Sequence, residues 1–219
     1  MKKLYFLAIF EYNNSKKGSD EMAKQSERFN QLVKKNNGII KLAQASGIGI
    51  SKPTFYDYIA KEEMERVAHG IYAKKDAWVD DMYVLHLRCK QAIFSHESAL
   101  LIHDLTDRES LSHSITVKAG YNPTSLKKDG LRVYNVKEAL YEVGATDAVT
   151  AFGNTVPVYN MERTICDVLR SRSKIEMQTF QDALKEYVKR PDKDLRTLMK
   201  YAQSFKVENM LRRYLEVLL

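Results

Sequence analysis

Apolar side chains recur at Phe29, Leu32 and Val33, the i, i+3, i+4 spacing that gives a helix one buried stripe. Asn36-Asn37-Gly38 is a stop signal for that helix. A second short helix is expected to follow, with Ile39, Ile40, Leu42 and Ala43 facing inward, and Gly47-Ile48-Gly49 makes the next turn. Ser51 is placed to cap a third helix, with Pro53 in its first turn, where a missing N–H costs little. Phe55, Tyr58 and Ile59 share one face of that helix. Two β-like runs, Met64–Ala68 and Ile71–Lys74, then meet across His69-Gly70, and Gly70 can take the positive φ of a two-residue hairpin turn. Helices, a glycine turn, a half-buried helix and a hairpin predict a winged helix-turn-helix over residues 23–75.

The pattern beyond residue 76 differs. A helix is expected over Val79–Arg88, a short strand over Ala92–Phe94, and a helix from the cap Ser95 to His103. Ile115–Lys118 and Leu131–Tyr134 read as strands joined by the turn-rich GYNPTSLKKDG, and Asp147–Phe152 pairs with Val156–Tyr159 across Gly153-Asn154. From Asn160 onward every apolar run has helical period: Met161, Ile165, Val168 and Leu169 line one face, Met177, Phe180, Leu184 and Tyr187 the next. Two more faces follow, Leu195–Phe205 and Val207–Leu218, and Pro191 separates the second helix from the third. The predicted class is α+β: a winged helix-turn-helix, then a mixed sheet domain (76–219) with a helical C-terminal bundle.

Charge sharpens the first part. Residues 1–75 hold 14 Lys+Arg against 8 Asp+Glu, while residues 76–219 hold 21 against 20. Nearly all of the formal net charge of +7 therefore lies in the first third, which points to a polyanionic partner. The 44% hydrophobic content supplies ample core. Cys89 and Cys166 stand apart, which argues against a disulfide framework or a zinc site and fits a reducing cytoplasm. Residues 1–22 carry only a short apolar run after Lys2-Lys3, with no cleavage site after it. That stretch reads as an appended segment, a docking strand or a frayed tail, with Met22 as an alternative start. No run is long enough to span a membrane.

Removing the buried positions from the third helix leaves Lys52, Thr54, Tyr56, Asp57 and Lys61 outward, with Ser51 at its start. Lysine donates to guanine acceptors or phosphate, threonine touches base edges, and a tyrosine hydroxyl reaches phosphate. Lys52 and Thr54 are the best candidates for base contacts, since the first turn of such a helix enters the major groove. Arg66, His69, Lys74 and Lys75, on or beside the hairpin, suit phosphate or minor-groove contacts.

Catalytic signatures are absent from the pattern. His96 and His103 share a predicted helix, yet HESAL is not a metal-binding H-E-x-x-H string, so both read as packing or surface residues. Cys166, among Ile165, Val168 and Leu169, reads as a core residue. Pro191-Asp192-Lys193-Asp194 lies between helices and not on nuclease strands, and Gly18-Ser19 lacks the D-x-D strand of a nucleotidyltransferase. No cofactor, metal or catalytic residue is expected.

Three separated stretches carry a resemblance. GISKPTFYDYIAKEEMERVAHGIY resembles the N-terminal module of the AbiEi family of antitoxins. FSHESALLIHDLTDR, YNMERTICDVLRSR and the ending ALKEYVK…LMKYAQSFKVENMLRRYLEVLL are similar to that family's second domain, in the same order over residues 24–219. The chain departs from it at Pro53 and Asp57, where many members are basic. The resemblance implies a non-enzymatic antitoxin of an abortive-infection, type IV toxin–antitoxin pair. It implies a winged domain that binds repeats in double-stranded operator DNA and represses its own operon. It implies a second domain that neutralises a nucleotidyltransferase-like toxin, with or without a stable complex. Arg163, Arg170, Arg172, Arg212 and Arg213 are expected on outer helix faces, available to a partner. Alternatives are a winged-helix regulator without a toxin, an adaptor that docks protein, and a DNA-targeted nuclease.

Overall fold

Phe29 and Val33 are buried on α1 (24–35), the first helix of the computed structural model, which describes residues 24–108 and 110–218. The segment read as an appendage, residues 1–22, lies outside the described residues. Gly38 N donates to Val33 O at 2.9 Å and ends α1. The chain then enters a strand, β1 (Ile39–Lys41), where a helix was expected, and α2 (Leu42–Gly47) starts only after it. The reason is burial. Ile39 and Ile40 both have 0% exposure, on opposite faces of the strand. Burying each is worth about 1.5–3 kcal/mol, whereas helix propensity differs among ordinary residues by at most about 0.7.

A turn at Ile48-Gly49 leads to α3 (Lys52–Lys61). Its N-cap is Ser51, whose side chain accepts from Thr54 N, with Pro53 in the first turn as the sequence indicates. β2 (Glu65–Ala68) and β3 (Ile71–Ala73) form a hairpin through His69-Gly70, with Gly70 at φ +67°. The sheet order is β1-β3-β2, all antiparallel, with a register shift between Arg66 and Ala68. Phe29, Phe55 and Tyr58 centre the core; the Phe29 and Tyr58 rings stack at 4.0 Å.

The expected boundary near residue 76 is not where the chain divides: two compact units meet after Arg88. α4 (Asp81–Arg88) belongs to the first because Gln44 Nε2 donates to Tyr83 Oη at 3.2 Å and Lys41 Nζ to Leu87 O.

The second unit is built on a five-stranded sheet in the order β6-β5-β4-β8-β7. Its strands are β4 (Ile93–Phe94), β5 (Ser114–Lys118), β6 (Arg132–Val136), β7 (Ala145–Val149) and β8 (Thr155–Tyr159). β5 and β6 run parallel, joined by α6 (Thr124–Lys128) inside the stretch read as a turn. β4 is parallel to β8 and antiparallel to β5. The β7–β8 hairpin leaves its strand at Val149, earlier than expected, since Gly153 N and Asn154 O both bond to Thr150. α5 (His96–Ile102) follows β4, and a short α7 (Glu138–Tyr141) follows β6. Ser95 occupies the N-cap position of α5 without capping through its side chain.

α8 (Met161–Arg170) is the centre of this unit and packs against α5, α9 (Met177–Lys189) and α10 (Leu195–Ser204). α11 (Glu208–Leu218) closes the bundle against α10. Residues 162–169 are all buried, so α8 lacks the solvent face its apolar period suggests. Arg163, expected on an outer face, has 0% exposure. Its Nε donates to Asp167 Oδ2 at 2.8 Å, and Nη1 donates to the carbonyls of Leu140 and Val143, each at 2.7 Å. The guanidinium lies between the rings of Tyr159 (4.1 Å) and Phe205 (3.9 Å). Arg170 Nη2 approaches the other Asp167 oxygen at 3.4 Å, without hydrogen-bond geometry. Gly144, at φ +75°, passes so close that an added Cβ would sit 2.6 Å from Arg163 Cβ.

The described residues are thus mixed α+β with two sheets, and none of their helices is long and apolar enough to cross a membrane. Removing one member of a buried pair strands the other charge. Asp167→Ala should therefore lower unfolding free energy by about 3–5 kcal/mol in urea titrations, against under about 1 for the part-exposed Arg170→Ala.

Candidate nucleic-acid interface and a second polar centre

α3 buries Phe55, Tyr58 and Ile59 and turns its other residues outward. Ser51, Lys52, Tyr56, Asp57 and Lys61 are exposed, and Thr54 is half-buried with its Oγ1 2.7 Å from Ser51 Oγ. Among the described residues, Lys52 and Lys61 make no ion pair. Behind this face Tyr58 Oη donates to Asn30 Oδ1 at 2.6 Å, and burial, then Glu62, raises its phenol above the ordinary value.

Aromatic edges fix α3 to the hairpin. Tyr72 on β3 meets the Phe55 ring at 5.6 Å and the Tyr56 ring at 6.3 Å, both edge-on. Backbone bonds add to this: Leu42 N donates to Gly70 O and Lys74 N to Gly38 O, each at 3.0 Å. At the hairpin, Arg66 Nε donates to Ala68 O at 3.3 Å, and its Nη2 lies 3.0 Å from His69 Nδ1. Both side chains are exposed and held together.

The structure brings Lys74 and Lys75 to the end of α3, where each meets a carboxylate. Lys74 Nζ lies 3.8 Å from Glu62 and Lys75 Nζ 2.8 Å from Glu63. Exposed pairs of this kind are worth about 0–1 kcal/mol, so a phosphate can compete for either lysine. Two further cations, Arg28 and Lys35, line a shallow pocket with Leu32 and Ile48; the sequence counts their charge without assigning them a place.

A second polar centre, in the other unit, was not legible from motifs. It forms where β4 ends and β5 and β6 begin. Ser95, His96, Glu97 and Ser98 are consecutive and buried. His96 takes φ +51°, a left-handed conformation that costs an ordinary side chain about 1–3 kcal/mol and concentrates at functional positions. Its ring stacks on Tyr134 at 3.4 Å. Nδ1 lies 2.9 Å from Ser95 Oγ and Nε2 3.0 Å from Ser171 Oγ. Thr116 Oγ1 donates to Ser95 Oγ at 2.9 Å, so the Ser95 hydroxyl joins this network and makes no cap bond to α5. Ser114 Oγ donates to Glu97 Oε2 at 2.9 Å, and Arg132 Nη1 donates to Glu97 Oε1.

The two histidines of α5 and its C-cap do not share a site. His103 Nε2 bonds the Tyr159 carbonyl at 2.7 Å, away from the His96 partners. Cys166 is fully buried, and burial, then Asp167, pushes its thiol up to about 12, which removes its nucleophilic form. Asp194 caps α10 by accepting from Thr197 N at 2.9 Å, and Asp192 pairs with Arg190, so the acidic string between helices is structural.

No protein-family model and no curated protein matches the chain.

Burial, reinforced by Arg170, Arg163 and Lys174, lowers the His96 pKa well below 6.5, so the folded chain keeps it neutral. His103 moves the same way, mainly through burial. The unfolded chain takes up these protons as pH falls through about 6.5, which favours unfolding. Their contribution is thus full above that value and declines below it. Urea titrations between about pH 7.5 and about pH 5 should show stability falling with acidity, and His96→Gln should flatten the slope.

Proposed function

We propose that the first unit is a winged helix-turn-helix that docks α3 in the major groove of double-stranded operator DNA. We propose further that the whole chain is a cytoplasmic antitoxin of the AbiEi kind. It represses its own operon and neutralises a nucleotidyltransferase-like toxin without catalysis of its own. The observation that carries the DNA reading is the division of α3 into a buried Phe55–Tyr58–Ile59 face and an outward face of exposed Lys52, Tyr56 and Lys61 with half-buried Thr54. The hairpin with Arg66 and His69 is locked beside it by the Tyr72 contacts. The charge excess of the first 75 residues supplies attraction to the phosphate backbone. The antitoxin reading rests on the resemblance of the three sequence stretches. Arg172 and Arg213 are exposed and stay available to a partner, Arg212 is exposed but paired with Glu208 at 2.8 Å, and Arg163 is part of the core.

In this reading Lys52 and Thr54 contact bases, while Ser51 and Tyr56 hold phosphates and position the helix. Lys74 and Lys75 reach DNA by exchanging Glu62 and Glu63 for phosphate. Lys52→Ala with Thr54→Ala should cost about 1–3 kcal/mol on upstream operator DNA and less on random DNA, measured by gel shift. Equal losses on both would remove the base-reading role. Glu62→Gln with Glu63→Gln should tighten binding to both DNAs and steepen its salt dependence.

Neutralisation should survive loss of DNA binding. With toxin and full chain expressed from foreign promoters, growth should return equally for the unaltered chain and for the Lys52→Ala, Thr54→Ala variant. Rescue that needs the intact α3 would mean that protection works through DNA.

A further inference from the structure

Beside the His96 centre lies a cleft of about 360 Å³ in the second unit, lined by Glu97, Arg108, Arg132, Lys174, Ile175, Glu176 and Thr179 among others. That volume falls within the range of small-molecule sites, about 300–1,000 Å³. Its charges are unequally satisfied. Glu97 is committed on both oxygens, to Ser114 and to Arg132, so its negative charge is already met and the Arg132 fork is held in place. Arg108 reaches Glu176 and Asp182 only at 3.6 Å each, beyond hydrogen-bond distance. Lys174 has no carboxylate partner among the described residues; it lies 5.9 Å over the Tyr134 ring, on which His96 stacks. Three cations therefore face a space with two carboxylates, of which the buried Glu97 is spent on Ser114 and Arg132 and the exposed Glu176 pairs only loosely with Arg108. A planar guanidinium with N–H groups to spare and a nearby ammonium match a phosphate group. Beneath them is a buried network with a strained backbone at His96, the kind of investment that holds a site in one geometry.

We infer that this cleft binds a small phosphate-bearing ligand of mononucleotide size, its phosphate between Arg108, Arg132 and Lys174. Ile175 offers the apolar contact for the remainder and Thr179 a hydroxyl. The inference rests on the second unit alone and does not depend on DNA binding by the first.

Calorimetric titration of the full chain with ATP, inorganic phosphate and adenosine tests it. ATP is expected to bind, phosphate to compete with it, and adenosine to give no heat. Lys174→Glu should weaken ATP by at least about tenfold. Lys200→Glu, an exposed change on α10, should leave it unaltered. Should Lys174→Glu fail to fold by circular dichroism, Arg108→Ala serves in its place with the same expected loss. The inference is overturned by absence of ATP binding at millimolar concentration or by adenosine binding as tightly as ATP. Lack of competition by phosphate, or equal affinity of the cleft variant and the Lys200 variant, would do the same.

Discussion

A buried arginine organises the larger unit. Arg163 sits without solvent between two aromatic rings, paired with Asp167 and donating to the carbonyls of Leu140 in α7 and of Val143 just after it. Each contact comes from a different element: Asp167 from α8, Leu140 from α7, Tyr159 from β8, Phe205 from the end of α10. Taking a guanidinium out of water is costly unless its partners are fixed in advance. The sheet, the loop and the bundle must therefore arrive together around it. The same helix carries Glu162, which accepts from Tyr187 Oη at 2.9 Å and from Asp194 N at 3.2 Å and so ties α9 to α10.

The smaller unit solves a different problem, that of holding one helix face outward while the other is buried. Three antiparallel strands and an edge-on aromatic ladder give α3 a backing in which Tyr56 takes part among its exposed residues but Lys52, Asp57 and Lys61 do not. Those residues are then free to be chosen for contact, since none of Lys52, Asp57 or Lys61 supports the core.

What could be seen in advance follows from range. α3 was legible because its cap, its proline and its apolar spacing all lie within ten residues. The hairpin was legible because its turn is local. β1 was not, because its partner β3 lies some thirty positions on and its two isoleucines satisfy a helical pattern equally well. The DNA-facing candidates of α3 were legible as outward positions, but the carboxylate partners of Lys74 and Lys75 were not, being set by where the hairpin folds back. Arg163 was misread because a charged residue beside an apolar stripe ordinarily marks solvent. The His96 centre left no motif because Glu97 meets Ser114 and Arg132 seventeen and thirty-five residues away.

Gly144 ties the arginine core to the turn before β7. A side chain there would collide with Arg163 Cβ at 2.6 Å and with Asn160 Oδ1 at 2.9 Å, while Asn160 itself caps α8 through Arg163 N. Glycine, asparagine, arginine and aspartate at 144, 160, 163 and 167 are thus one interlocked unit, in which a change at one member disturbs the others. A substitution at one of the four is therefore best tolerated when a neighbour in the set changes with it.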